Sequence, residues 1–170
     1  MSKMPFRRRK TREIAMQILF AWDSHGGEDM AMAYSLAAEA SNDDEAKKAA
    51  VEIAKATWDQ LATLDLWLER LTPKYSFRRQ PSVDRSLLRL AAWELTSQTA
   101  PAKVVMDEAI EMAREFSTAE SARLINAVLD AMFIEHKALT GGSIMPAASG
   151  EASPTSEPPA QTSGPAGKGE

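Results

Sequence analysis

Apolar residues recur three and four positions apart along most of the chain, the repeat of a helix with one buried face. No long Val/Ile/Thr alternation of the kind a half-buried strand requires is present. Ile14, Ile18 and Trp22, with Ala15, Leu19 and Phe20 beside them, predict a first helix that stops near Gly26-Gly27. Met30, Ala33, Tyr34, Ala37 and Ala38 predict a short second helix ending before Ser41-Asn42. Asp43-Asp44-Glu45 places acid where a helix dipole favours it, opening a third. Its apolar steps, Ala46, Ala50, Ile53, Thr57, Leu61, Leu64 and Leu68, predict one long helix to Thr72-Pro73. Pro81-Ser82 leads into Val83, Leu87, Leu90 or Ala91, and Leu95; Pro101 opens Val105, Ala109, Met112 and Phe116. Ser117-Thr118-Ala119-Glu120 fits a capping box with Ser117 as cap, ahead of a last helix bearing Leu124, Ile125, Val128, Leu129, Met132 and Phe133. Short connections make chain neighbours pack together, so the expectation is an all-α fold of six or seven helices.

The pattern ends near residue 140. From there to Glu170 the chain is rich in Pro, Ser, Gly and Ala, with Ile144 and Met145 its only large apolar residues, too little to offset the entropy of ordering. The expected organisation is a basic arm over 1–9, a helical domain over 10–139 and a disordered tail over 140–170. No apolar run approaches the ~18 residues that span a bilayer, and Glu13, Gln17 and Asp23 interrupt what would be the core of a signal peptide. There is no cysteine, which removes disulfides, thiol catalysis and cysteine-bound zinc. A cytoplasmic protein without a membrane partner is expected.

Charge changes the picture at one end. Lys3, Arg7, Arg8, Arg9, Lys10 and Arg12 crowd the first twelve residues, next to the start of a helix, where the dipole disfavours cations. The whole chain has 20 Lys and Arg against 24 Asp and Glu; without those six cations the rest carries 14 against 24, a net of −10. An acidic body with one basic edge fits a confined nucleic-acid contact better than general polyanion affinity. A second cluster, Lys74, Arg78, Arg79, Arg85 and Arg89, is interleaved with Tyr75 and Phe77, a combination suited to single-stranded RNA. For Arg89 a surface pairing with neighbouring acids such as Asp84 is the better reading. For Arg78 and Arg79 both readings stand.

Catalytic chemistry finds little support. His25 and His136 sit at opposite ends of the helical pattern and fit helix ends better than a metal site. Asp107, Glu108, Glu111 and Glu115 share one helix without the Glu-x-x-His pairs of a di-metal bundle, and read as a solvated face. Neither Gly26-Gly27 nor Gly141-Gly142 has the context of a phosphate-binding loop, and there is no Gly-x-Gly fingerprint. No enzyme activity, metal or cofactor is expected.

Three ordered blocks between residues 7 and 130 resemble one family. Arg7-Arg8-Arg9-Lys10-Thr11-Arg12-Glu13-Ile14-Ala15-Met16-Gln17-Ile18-Leu19-Phe20-Ala21-Trp22 is similar to the opening of the NusB transcription antitermination factors. Tyr75-Ser76-Phe77-Arg78-Arg79 through Val83-Asp84-Arg85 to Trp93-Glu94-Leu95 resembles their central block. Lys103-Val104-Val105-Met106-Asp107-Glu108-Ala109-Ile110-Glu111 and Asn126-Ala127-Val128-Leu129-Asp130 resemble their last one. The resemblance implies two three-helix bundles packed across each other. It also implies binding of boxA-type RNA together with NusE, a small-subunit ribosomal protein, within an antitermination complex on RNA polymerase that serves ribosomal RNA operons. RNA contact is implied for Arg7, Arg8, Arg9, Lys10 and Arg12, and for Glu120, Ser121 and Leu124; Arg78 and Arg79 join them from the basic cluster. NusE contact is implied for Phe20 and Asp84, with Arg85 beside it.

The chain departs from the family where the last helix begins. The family's His and aromatic residues are replaced here by Ala122 and Leu124, and its Gly by Ala127. Loss of a ring at Leu124 removes a stacking surface for a base, and Ala127 raises helix propensity by up to ~1 kcal/mol. Two other readings stay open. NusB-like domains also occur fused ahead of an RNA methyltransferase, although no glycine-rich cofactor segment follows residue 140 here, and the partner surface could serve a homodimer instead.

Overall fold

The computed structural model describes the backbone of residues 5–141 and the side chains from Arg9 onward. Every regular element among the described residues is helical: α1 (Pro5–His25), α2 (Met30–Ala40), α3 (Asp44–Asp59), α4 (Leu61–Leu71), a 3-10 turn (Phe77–Arg79), α5 (Ser82–Ser97), α6 (Ala102–Phe116) and α7 (Ala119–Leu139). Helix α1 thus begins inside the segment expected to be a basic arm, whereas most of the expected tail lies outside the described residues.

Helices α1, α2 and α3 pack on one another, α5, α6 and α7 do the same, and α1 lies against α5 to join the two bundles; α4 rests on α5 and α7. The apolar stripes read from sequence are the buried ones: Ile14, Ile18, Leu19 and Trp22 from α1 meet Leu87, Leu88 and Ala91 from α5 in a single core that also takes in Ile125 and Leu129 of α7. Trp22 sits edge-on to Trp58 at 5.5 Å and donates its indole N–H to the carbonyl of Asp29 at 2.7 Å, closing the turn after α1. The caps follow side-chain chemistry. Asp29 accepts from the Met32 N–H, and Asp43 from those of Glu45 and Ala46.

Two boundaries differ from the pattern. The expected long third helix breaks at Gln60, so that α3 turns its small residues toward α1 while α4 turns Leu64 and Leu68 into the core beside α5. One turn earlier, the Thr57 hydroxyl donates back to the Ile53 carbonyl at 2.8 Å, a contact that bends helices. The cap of α7 is Thr118, not Ser117: its hydroxyl oxygen accepts from the Ser121 N–H, while the Ser117 N–H still bonds the Ala113 carbonyl and closes α6.

Candidate nucleic-acid interface and partner groove

Helix α4 ends at Leu71, and the chain needs ten residues to reach α5. This connection is held from three sides. Glu69 accepts from the Ser76 hydroxyl at 2.8 Å and from the Arg78 N–H. Phe77 is fully buried, with the Arg89 guanidinium 5.3 Å above its ring. Arg85 donates to the carbonyls of Arg78 (3.1 Å) and Gln80 (2.6 Å) and to the Ser82 hydroxyl.

Behind it stands a partly buried charge network. Asp23 of α1 takes Arg85 on one oxygen and Arg89 on the other, and Arg89 is gripped in two-point fashion by Asp65 of α4 at 2.8 Å. Burial alone would raise the Asp23 carboxyl, but the hydrogen bonds from Arg85 and Arg89 outweigh it and hold the group below its ordinary range. Burial likewise works against the Arg89 charge, and Asp65 with Asp23 more than compensates. The expected surface pairing of Arg89 is therefore a core pairing, and Phe77 is packing rather than a stacking platform.

Between the connection and the start of α7 lies a cleft of about 650 Å³. Lys74, Tyr75, Arg79 and Gln80 form one wall, and Glu120, Ser121, Arg123 and Leu124 the other, with Asp84 of α5 between them. Tyr75 is 69% exposed, a free ring at the mouth. Among the described residues, Lys74, Arg78, Arg79, Arg123 and Lys137 are the Lys and Arg side chains that form no ion pair. Four of those five lie in or beside this one cleft. Inside it the Ser121 hydroxyl donates to Asp84 Oδ2 at 2.6 Å and accepts from the hydroxyls of Ser117 and Thr118.

The sequence-predicted residues divide accordingly. Arg79, Glu120, Ser121 and Leu124 meet in the cleft, with Arg78 beside it. Asp84 is only 1% exposed and turns one oxygen to Ser121, and Arg85 is engaged with Asp23 and the connection. Arg12 is not on the surface: its guanidinium is buried against Glu94 at 2.9 Å. Arg9 is held by Glu13, Glu108 and Glu115, and Lys10 lies 3.5 Å from Glu13. The side chains of Arg7 and Arg8 lie outside the described residues. Arg123 was missed by sequence reasoning, although it stands one turn beyond Glu120 on the same helix and that spacing could have revealed it.

A second concavity of about 400 Å³ runs along α1 and is nearly all apolar: Met16, Phe20, Ala21, Leu36, Val83 and Phe116, with Gln17, Ser24 and His25 at its edges. Phe20 is 41% exposed there. No described helix is long and apolar enough to cross a membrane, and no described group of three or more His, Asp or Glu is placed to hold a metal.

Residues 9–133 match the model of the NusB family. A transcription antitermination protein NusB from Solibacter usitatus is 39% identical over 127 residues, covering 74% of this chain and 87% of that one. The NusB of Sorangium cellulosum is 33% identical over 120 residues, covering 70% and 86%. Among solved structures, T. maritima NusB superposes with a TM-score of 0.68 at 32% identity, covering 79% of this chain and 94% of that one. A crystal structure of NusB and NusE in complex with double-stranded RNA has a chain of the same fold, with a TM-score of 0.71 at 20% identity, covering 78% and 99%.

Proposed function

Because the chain belongs to the NusB family, we propose that it is a non-catalytic, cytoplasmic RNA-binding factor that holds boxA-type single-stranded RNA in the cleft and a NusE-type ribosomal protein in the apolar groove. As a heterodimer with that protein it joins the antitermination complex on RNA polymerase and supports transcription of ribosomal RNA operons. The observation that carries the RNA reading is the gathering of unpaired cations, Lys74, Arg78, Arg79 and Arg123, around one cleft of an acidic protein. Unpaired cations give up no internal partner when they meet phosphate, whereas Arg9 and Arg12 would have to leave theirs. The N-terminal contribution falls to Arg7 and Arg8, and the ring for base stacking to Tyr75 in place of the aromatic missing at Leu124.

The partner reading rests on the groove. Phe20, Val83 and Phe116 are exposed enough to be covered by another protein and too apolar to serve RNA. Both readings meet in one titration by fluorescence anisotropy: a boxA-like RNA and a scrambled control, with and without the NusE-type protein. Preference for boxA that strengthens with the partner is expected. Equal, salt-labile binding of both strands, indifferent to the partner, would defeat the proposal.

A further inference from the structure

Arg9 is neither free nor sealed from water. Its Nε donates to Glu13 at 3.1 Å, one Nη to Glu108 at 3.4 Å and the other to Glu115 at 2.7 Å. All three nitrogens of the guanidinium thus serve carboxylates, so a phosphate that takes the fork in two-point fashion must displace at least one of them. Glu108 and Glu115 stand seven residues apart, two turns along one face of α6, and reach across the fold to α1. Exposure separates this cluster from the Arg12 pair on the same helix. The Arg9 side chain is 21% exposed and that of Glu115 56%, against 5% and 6% for Arg12 and Glu94. Ion pairs that water still reaches add little stability and exchange readily, whereas opening a sealed pair leaves a buried charge uncompensated.

We infer that Glu108 and Glu115 are internal competitors of RNA: they occupy Arg9 in the free protein, and a bound strand replaces them with phosphate. The inference rests on the RNA-binding reading and deepens it, because it makes two acids of α6 set the affinity of the basic end. Arg9 follows Arg7 and Arg8 directly in the chain, so a strand drawn to that run brings phosphate within its reach. The exchange leaves no acid stranded. Glu108 and Glu115 are open enough for water to solvate them, and Glu13 keeps Lys10 at 3.5 Å. The neighbouring acids of α6 do not share the role: Asp107 pairs with Lys103 at 2.9 Å and Glu111 with Arg114 at 2.6 Å, both on their own helix.

The test is binding of the full chain, without a partner, to a boxA-like single-stranded RNA, read by anisotropy at roughly 50 and 200 mM salt. Glu108→Gln with Glu115→Gln should bind about fivefold more tightly than wild type at the lower salt, the worth of exposed pairs that no longer have to be broken. The gain should shrink at the higher salt, where those pairs are already screened. Asp107→Asn with Glu111→Gln removes the same two charges from the same helix and should change affinity by less than about twofold. With Arg9→Ala in the background, Glu108→Gln and Glu115→Gln should gain no more than that control. Thermal melting checks folding; should the double variant not fold, Glu115→Gln against Glu111→Gln carries the test, with a gain of about threefold. Weaker or unchanged binding on removal of the two acids overturns the inference, since they would then orient Arg9 or be irrelevant to it. So does a gain that the control matches or that survives Arg9→Ala, because either is general repulsion. Failure of wild type and every variant to bind RNA would overturn the RNA-binding reading with it.

Discussion

Arg12 carries its charge into a site only 4% exposed, where Glu94 meets it from the neighbouring bundle. A buried pair of this kind adds little over two well-packed apolar residues, but losing one partner strands the other in a medium that cannot solvate it. Arg12→Met should therefore cost about 3–5 kcal/mol, and Arg12→Met with Glu94→Leu should recover most of the loss; urea unfolding of the two variants measures the difference. Asp23 makes a related case that pH exposes. Its carboxyl is held below the ordinary value of 3.8 despite burial, so its pairing with Arg85 and Arg89 stabilises the fold fully above that value and is lost as pH falls through the lowered one. Asp23→Asn should thus be less stable than wild type near neutrality, with the gap narrowing below about pH 4 as acid titrates the wild-type group. A constant gap from pH 7 to pH 2 in acid melting curves would mean that the ion pairs contribute nothing specific.

The connection from Thr72 to Pro81 is an element whose shape is supplied from outside itself. It owns one buried aromatic anchor, Phe77, with Thr72 buried at its start, and otherwise depends on Glu69 behind it and Arg85 ahead of it. Its single 3-10 turn spans three residues, too few to persist alone. Removing the Arg85 guanidinium strips the Arg78 and Gln80 carbonyls of their donor and loosens the wall that bears Arg79. Arg85→Ala should leave the helices intact by circular dichroism, increase amide exchange across residues 77–81, and weaken RNA binding about tenfold by the loss of preorganisation. Unchanged exchange there would show that Phe77 and Glu69 suffice. This element also marks where sequence patterns stop being informative. The helices on either side were legible from their three-and-four repeats, but the break at Gln60 was not, because the apolar steps run on through Leu61, Leu64 and Leu68 while the face they bury changes.

At the scale of the whole molecule, an acidic protein presents four unpaired cations in one region, and its other described basic residues are mostly tied to acids of its own. Such an arrangement confines polyanion binding to a patch and leaves the apolar groove beside α1 free for a protein. If Lys74, Arg79 and Arg123 are phosphate contacts, replacing all three by alanine should lower the slope of log affinity against log salt by about 2, since each contact on a single strand contributes about 0.7. The same triple variant should leave stability nearly unchanged, because none of the three has an internal partner to lose. An unaltered slope would move the RNA contact away from the cleft.

The sequence by itself determined the helical class, the buried face of nearly every helix, the family to which the chain belongs and the presence of two basic clusters. Each of these is a property of local spacing or of ordered residue blocks, which survive without knowledge of what lies opposite. Only the tertiary structure decided which charges are free. Arg12, Arg85 and Arg89 look like Arg78, Arg79 and Arg123 in a list of cations, yet their partners Glu94, Asp23 and Asp65 are distant in the chain or lie on other helices, where spacing carries no information. The same holds for Asp84, whose acidic side chain looks exposed in the first turn of a helix until α7 closes over it and Ser121 takes one of its two oxygens. Charge pairing and burial depend on what packing brings together, and that is settled only when the two bundles meet.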